Sequence, residues 1–265
     1  MKYNAANRWF WITALGIMVP CLLYSGEVTN QTPPSVSTEK TKEVGPSNQA
    51  PLPPPVTPVR TRIVYNPPLR GAPAVRIDGG SRGSGVSLIS LTVLTPDHTG
   101  LTVQEQPSLF WYQSEPANVT FEFTLLANNT IQPLLLVRLP NARAAGIQRL
   151  NLAEHNVKLL PGVEYEWVVA LIADQESRSK DVIASGWIKR VEPSESLKSR
   201  LAGATKDELP SLYAAEGIWL DTLATESDLI EARPGNKPLQ EERAELLEQV
   251  GLTNAAAYAV SRAGD

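Results

Sequence analysis

The sequence predicts an α+β chain, mainly β, in which a two-sheet sandwich precedes a helical C-terminal region. Three observations carry that expectation. Residues 163–173 alternate with a period of two: Val163, Tyr165, Trp167, Val169 and Leu171 share one face, while Glu164 and Glu166 begin the other. Further segments between 85 and 191 are rich in β-branched and aromatic residues and are separated by Gly, Pro, Asn and Asp. After Val191 the apolar period changes from two to about 3.6.

In chain order, Lys2 and Arg8 come first, ahead of an apolar run from Trp9 to Leu23 that is broken at Thr13, Gly16, Pro20 and Cys21. A charged start followed by a short apolar run has the order of a secretory signal, and the run is short for a membrane span. Residues 1–26 are therefore expected to be a signal peptide or an N-terminal anchor. The protein is expected outside the cytoplasm, in the periplasm or cell envelope, with no membrane contact beyond this segment. Pro20 stands where a lipobox wants a small residue, which disfavours lipidation of Cys21. Cys21 is the only cysteine, so removal of the signal leaves no disulfide, no thiol nucleophile and no zinc-thiolate site. Residues 27–66 are rich in Pro, Thr, Ser, Asn and Gln and include Pro53-Pro54-Pro55. Such a stretch buries too little apolar surface to offset its ordering entropy, and it is expected to be a disordered spacer.

The formal net charge is −4, from 24 basic and 28 acidic residues. No basic field exists to hold a phosphate backbone, so nucleic acid is not expected as a partner.

Residues 67–191 are expected to form the sandwich. They open with Gly79-Gly80-Ser81-Arg82-Gly83, which fits the G-x-S-x-G of a nucleophile elbow. An elbow needs a strand before it and a helix after it; here a Pro/Gly-rich stretch precedes and a strand pattern, 86–94, follows. A secreted serine hydrolase would use Ser81 with His98 or His155 as base. The competing expectation is a glycine-rich turn. Strands are expected at 86–94, 108–113, 119–127, 131–138, 146–152, 163–173 and 182–190, which is the strand number of the simple immunoglobulin-like sandwich. Leu160-Pro161-Gly162 followed by Tyr165 resembles the corner of immunoglobulin and fibronectin type III sandwiches, where a Tyr hydrogen-bonds back across the turn. Trp111, Tyr165, Trp167 and Trp187 fall at strand positions, with Trp111 and Tyr165 expected in the core. Exposed strand aromatics such as Trp187 would alternatively serve a glycan. Two isolated His and no cysteine ligand set imply neither a metal nor a cofactor.

Residues 192–265 are expected to be helical: a short helix at 193–204, a longer one at 206–231 with Gly217 inside it, a break at 232–238, and an acidic helix at 239–250 closed by Gly251. The last two would pair as a hairpin. Ile218 and Leu220 widen the apolar stripe that carries Trp219, and Ile218, Trp219 and Leu220 are the expected docking residues for a protein partner in the cell envelope.

The ordered set of segments resembles the domain of unknown function 928 family of exported, mostly cyanobacterial proteins. Its pieces are Gly79 to Gly83; Gly100-Leu101-Thr102-Val103 leading to Trp111-Tyr112; Gly146-Ile147; Tyr165 with Trp167; Gly186-Trp187; Gly217-Ile218-Trp219 with Asp221; and Val250-Gly251-Leu252. The resemblance implies export and the strand-then-helix layout, and it implies no reaction. The expected function is a non-enzymatic protein-interaction module of the cell envelope, with a glycan-binding sandwich or a secreted serine hydrolase as alternatives.

Overall fold

The computed structural model describes residues 62–68, 76–79, 89–128, 130–139 and 144–264. The expected signal or anchor (1–26), the spacer up to residue 61, and Gly80, Ser81, Arg82 and Gly83 lie outside them. The described residues belong to one compact unit, Thr57–Asp265.

Eight strands are present among the described residues: β1 (Leu91–Val93), β2 (Gly100–Thr102), β3 (Ser108–Gln113), β4 (Thr120–Ala127), β5 (Leu135–Leu139), β6 (Gly146–Asn151), β7 (Glu164–Ile172) and β8 (Val182–Arg190). They form two sheets, ordered β1-β3-β6 and β2-β8-β7-β4-β5. All neighbours are antiparallel except β2 and β8, which run parallel through Gly100 opposite Ile188. Each segment expected as a strand contains one, though 86–94 supplies only Leu91–Val93 and 131–138 shifts to Leu135–Leu139. The addition is β2, three residues long and too short to show a period, held in place by its pairing with β8.

The period of two in β7 is an inside–outside alternation. Tyr165, Trp167, Val169 and Leu171 are buried; Glu164, Glu166 and Val168 are half-buried; and from Val169 onward every residue of the strand is covered. Trp111, Phe121, Phe123, Leu125 and Trp167 lie with them in one core cluster that draws on both sheets. The Leu160 N–H donates to the Tyr165 hydroxyl oxygen at 2.9 Å, so the corner bond expected from the Leu-Pro-Gly approach is made.

The helical part differs from the expectation in three ways. First, the five helices carry about as many residues as the strands, so the chain is α+β rather than mainly β: α1 (Glu195–Gly203), α2 (Leu209–Ala215), α3 (Trp219–Ala232), α4 (Lys237–Glu248) and α5 (Thr253–Gly264). Second, the single helix expected at 206–231 is two. Gly217 takes φ +72, its N–H reaches Ala214 O at 3.0 Å and the Ile218 N–H reaches Tyr213 O at 3.0 Å. That paired closure terminates α2, and the left-handed residue it needs favours glycine. Third, α5 adds Ala255, Ala256 and Ala259 to the core, where small side chains let the helix lie close.

The expected docking residues are inside. Ile218 is 5 % exposed, Trp219 0 % and Leu220 1 %. Ile218 packs in a satellite cluster with Leu197 and Tyr213, against which Leu101 and Val103 also pack, while Trp219 and Leu220 join the main core. The Trp219 indole N–H donates to Leu94 O at 2.8 Å. The surplus stripe is covered by this chain's own β2 region and core, so it offers no free surface.

Candidate functional site

Two places bring chemistry-bearing residues together. The first is a cleft built where 62–68 crosses the end of β1. Composition alone assigns 62–66 to the spacer, yet Ile63 and Tyr65 are buried. The Gln249 side chain holds the segment, accepting from the Tyr65 N–H at 2.8 Å and donating to Ile63 O at 2.9 Å. The Tyr65 ring meets Trp219 edge-on, with centroids 5.0 Å apart, and lies parallel to the His98 ring at 6.2 Å. Pro67, Pro96, Asp97, Val250 and Gly251 complete the walls of a cavity of about 370 Å³.

The hydrogen bonds decide what this cleft presents. His98 Nδ1 lies 3.0 Å from Thr99 O, and a carbonyl only accepts, so Nδ1 carries the proton. Nε2 faces the Tyr65 hydroxyl at 3.4 Å, and that hydroxyl also reaches Gly217 O at 3.5 Å. Burial raises the Tyr65 pKa from its ordinary value, which keeps that hydroxyl a donor. Asp97 is engaged elsewhere, 3.4 Å from the Arg76 guanidinium, which also contacts Asp78 and donates to Thr95 O. The basic nitrogen of His98 is thus turned toward a phenol. His155 lies in the short 3-10 turn Leu152–His155 after β6. Ser81, the serine of the hydrolase expectation, is outside the described residues. Among the described residues no group of His, Cys, Asp and Glu is arranged to hold a metal ion.

Asp221 stands in one of the sequence motifs, but sequence reasoning gave it no role. It stands in the first turn of α3, fully inside, and accepts from the Val103 N–H at 3.2 Å, with Thr102 and Gln104 also bonding to it. Burial pushes its pKa up to about 6 against the pull of those hydrogen bonds. It joins α3 to the edge strand β2. The signal was present in Trp219-x-Asp221, a carboxylate inside an apolar helical stripe.

The second place is the outer face of the five-stranded sheet. Among the described residues the helices pack chiefly on β2, β3 and β6, and the β5 end of this face, at Leu134 and Leu136, is exposed. Its rows follow from register: Leu126, Glu166 and Trp187; then Leu136, Thr124 and Val168; then Arg138, Glu122, Ala170 and Ile183. Leu136 is 55 % exposed, Leu134 47 % and Ile183 44 %. β5 pairs with β4 alone, so its other side is a sheet edge among the described residues. The charges on the face are largely paired: Glu122 with Arg178 at 3.1 Å and Arg138 at 3.8 Å, and Glu164 with Lys189 at 3.6 Å.

The remaining motif residues that the structure describes pair or pack within the fold. Gly79 pairs with Leu91, and Ile77 with Ser185, so 76–79 links the two sheets. Trp111, Tyr165, Trp167 and Trp219 are core, and Trp187 is half-buried on the outer face.

The model of the family described as Domain of Unknown Function (DUF928) matches residues 77–260. The chain belongs to the DUF928 family. Its span in this DUF928 chain runs from the sheet-linking segment to α5 and takes in the outer face and the cleft walls other than Tyr65 and Pro67. No curated protein matches the chain. Among solved structures, a multi-domain immunophilin from Arabidopsis thaliana aligns at 7 % identity over 74 % of this chain and 100 % of that one, with a TM-score of 0.16, too low to bear on the fold.

Proposed function

We propose that this DUF928 chain is an exported, non-enzymatic interaction module of the cell envelope that takes an extended segment of a protein partner along β5. The observation that carries this reading is the open outer face ending in an unpaired edge strand, with Leu134 and Leu136 half-exposed beside it. Unpaired N–H and C=O groups on an edge are a template for strand addition, and alternate apolar side chains supply pockets for the added strand. The charged start and short apolar run of 1–26 support export.

The finer fold reading belongs with this proposal. An immunoglobulin-like sandwich is supported by the sheet orders, by the Tyr165 corner bond and by Trp167, two residues after that Tyr. Antibody domains carry an inter-sheet cysteine at that position; here Trp167 packs on Phe123, with centroids 6.1 Å apart.

The test is a double substitution, Leu134→Lys with Leu136→Lys, followed by in-cell crosslinking and mass spectrometry. Both side chains are half-exposed, so the thermal melt should stay within a few degrees while the crosslinked partner disappears. An unchanged partner set sinks the edge reading. The glycan reading rests on Trp187, half-exposed beside Glu166 on the same face. Retention on polysaccharide that Trp187→Ala abolishes, and that the Leu variants leave intact, would favour it instead. N-terminal sequencing of fractionated cells tests export, and a full-length cytosolic species counts against it.

A further inference from the structure

A cavity of about 560 Å³ between β6, α3, α4 and α5 is not used by the sheet-edge reading. It is bounded by Ile147 of β6, by Ile230 and Glu231 of α3, by Pro234 and Gly235 of the α3–α4 turn, by Gln240 and Arg243 of α4, and by Tyr258 and Arg262 of α5. Its volume is that of a small-molecule site, and its lining is the mixture such sites show: apolar walls with a few convergent polar groups.

Two of those polar groups are buried with bonding capacity unspent. Gln240 is 9 % exposed, and its side-chain carbonyl oxygen has no hydrogen-bond partner. One turn on, Arg243 Nε is also buried without a partner. Leaving such groups unmet costs about 1–3 kcal/mol each. A fold that needed only packing would place apolar side chains there. The amide oxygen asks for a donor and the guanidinium asks for an acceptor.

Of the charged residues on the lining, two are basic and one is acidic. Arg243 and Arg262 are cations, and the single lining carboxylate, Glu231, lies 3.6 Å from Arg149, which also pairs with Asp228. Glu226, fully buried on α3, offsets part of the Arg243 charge. Burial lowers the Arg243 pKa from its ordinary value, and the charges of Glu226, Tyr258 and Glu231 pull it back up. The wall opposite is held by an unusual close approach. Gly146 takes φ +114, and a Cβ there would collide with the Tyr258 ring and hydroxyl. Tyr258 donates to Ala145 O at 3.2 Å, so the ring is fixed and the cavity keeps its shape.

We infer that this cavity binds a small organic acid, its carboxylate on Arg243 and an adjacent O–H or N–H donor on Gln240. A guanidinium matches a carboxylate through paired N–H donors, and Ile147, Ile230 and Pro234 accept the apolar remainder. Two sources share that chemistry: a sugar acid, and the terminal carboxylate of a short peptide.

The test is calorimetric titration of the full chain with D-glucuronate, with N-acetyl-alanyl-alanine, and with the amide of that dipeptide. At least one acid should bind saturably and the amide should not. Binding of glucuronate alone assigns a sugar acid, and binding of the dipeptide alone a peptide terminus. Gln240→Leu fills the same space, should melt no lower than the parent, and should weaken binding about tenfold, the worth of one hydrogen bond. Arg243→Gln should abolish binding. Because Arg243→Gln leaves Glu226 uncompensated and could unfold the chain, Arg262→Ala serves as the second charge variant and should weaken binding while leaving the melt unchanged. No saturable binding of either acid, equal binding of the amide, or unaltered affinity in Gln240→Leu overturns the inference.

Discussion

At the scale of single residues, Asp221 makes the sharpest prediction. An aspartate in the unfolded chain ionises near pH 3.9, whereas in the fold burial holds the proton to about 6. The folded state therefore binds the proton more tightly, and the stability this group contributes is fully present below about pH 4. It is lost as pH rises through 6, by roughly 2–3 kcal/mol across the window. Denaturant melts between pH 4 and 7.5 should show that decline, and Asp221→Asn should flatten it; parallel profiles would contradict the assignment. Tyr165→Phe is the second case. It removes the acceptor for the Leu160 N–H and should cost about 1–2 kcal/mol, read as a shifted denaturation midpoint with unchanged slope. Tyr165, Trp111 and Trp167 were legible in the sequence because alternation assigns each an inner face. Tyr65 was not, because Pro-rich composition on its N-terminal side masks an Ile63-x-Tyr65 pair whose burial depends on Gln249, far along the chain. Asp221 was visible as a carboxylate in an apolar stripe, but its role was not, because that role depends on the β2 edge it meets.

At the scale of elements, the contrast between β7 and β2 shows where legibility ends. Nine residues of alternation specify β7 on their own. The three residues of β2 have no period to read, and their strand state is conferred by β8 on one side and by Asp221 from α3 on the other. The split between α2 and α3 was hidden differently. Gly217 could be read as tolerated inside a helix, and only its left-handed backbone and the closure bonds around it reveal a terminus. A Cβ at 217 would also lie 2.7 Å from Asn66 O. Gly217→Ala should therefore cost about 1–3 kcal/mol, and hydrogen exchange should show the Asn66 N–H, bonded to Ala214 O, losing protection before the amides of β7. Uniform loss across the chain would mean that the turn is not the point of strain.

For the whole molecule, the boundary at 191/192 marks a change from strands to helices within one packed unit: the main core cluster holds Trp111 and Trp167 of the sheets together with Trp219, Leu247 and Ala256 of the helices. That shared core makes a prediction about deletion. Removing residues 1–61 should leave the melting temperature unchanged, whereas removing 1–66 takes Ile63 and Tyr65 out of the core and should lower stability by several kcal/mol. Equal melts for the two truncations would show that the segment is dispensable. The candidate sites were less legible than the fold. The outer face needs the register of four strands to bring Leu136, Val168, Ile183 and Trp187 onto one surface, and the Gln240–Arg243 cavity needs β6, α3, α4 and α5 together.

The short stretch 62–66 also has a mechanical meaning. Any load applied through the N-terminal residues enters the folded part at Ile63 and Tyr65 and is borne first by the Gln249 side chain, by the bond from Asn66 to Ala214, and by the Arg62–Glu245 ion pair. These few bonds are weaker in sum than the long β4–β7–β8 ladder behind them. Under tension the stretch peels away first, like a fuse, uncovering Trp219 while the sheets stay closed.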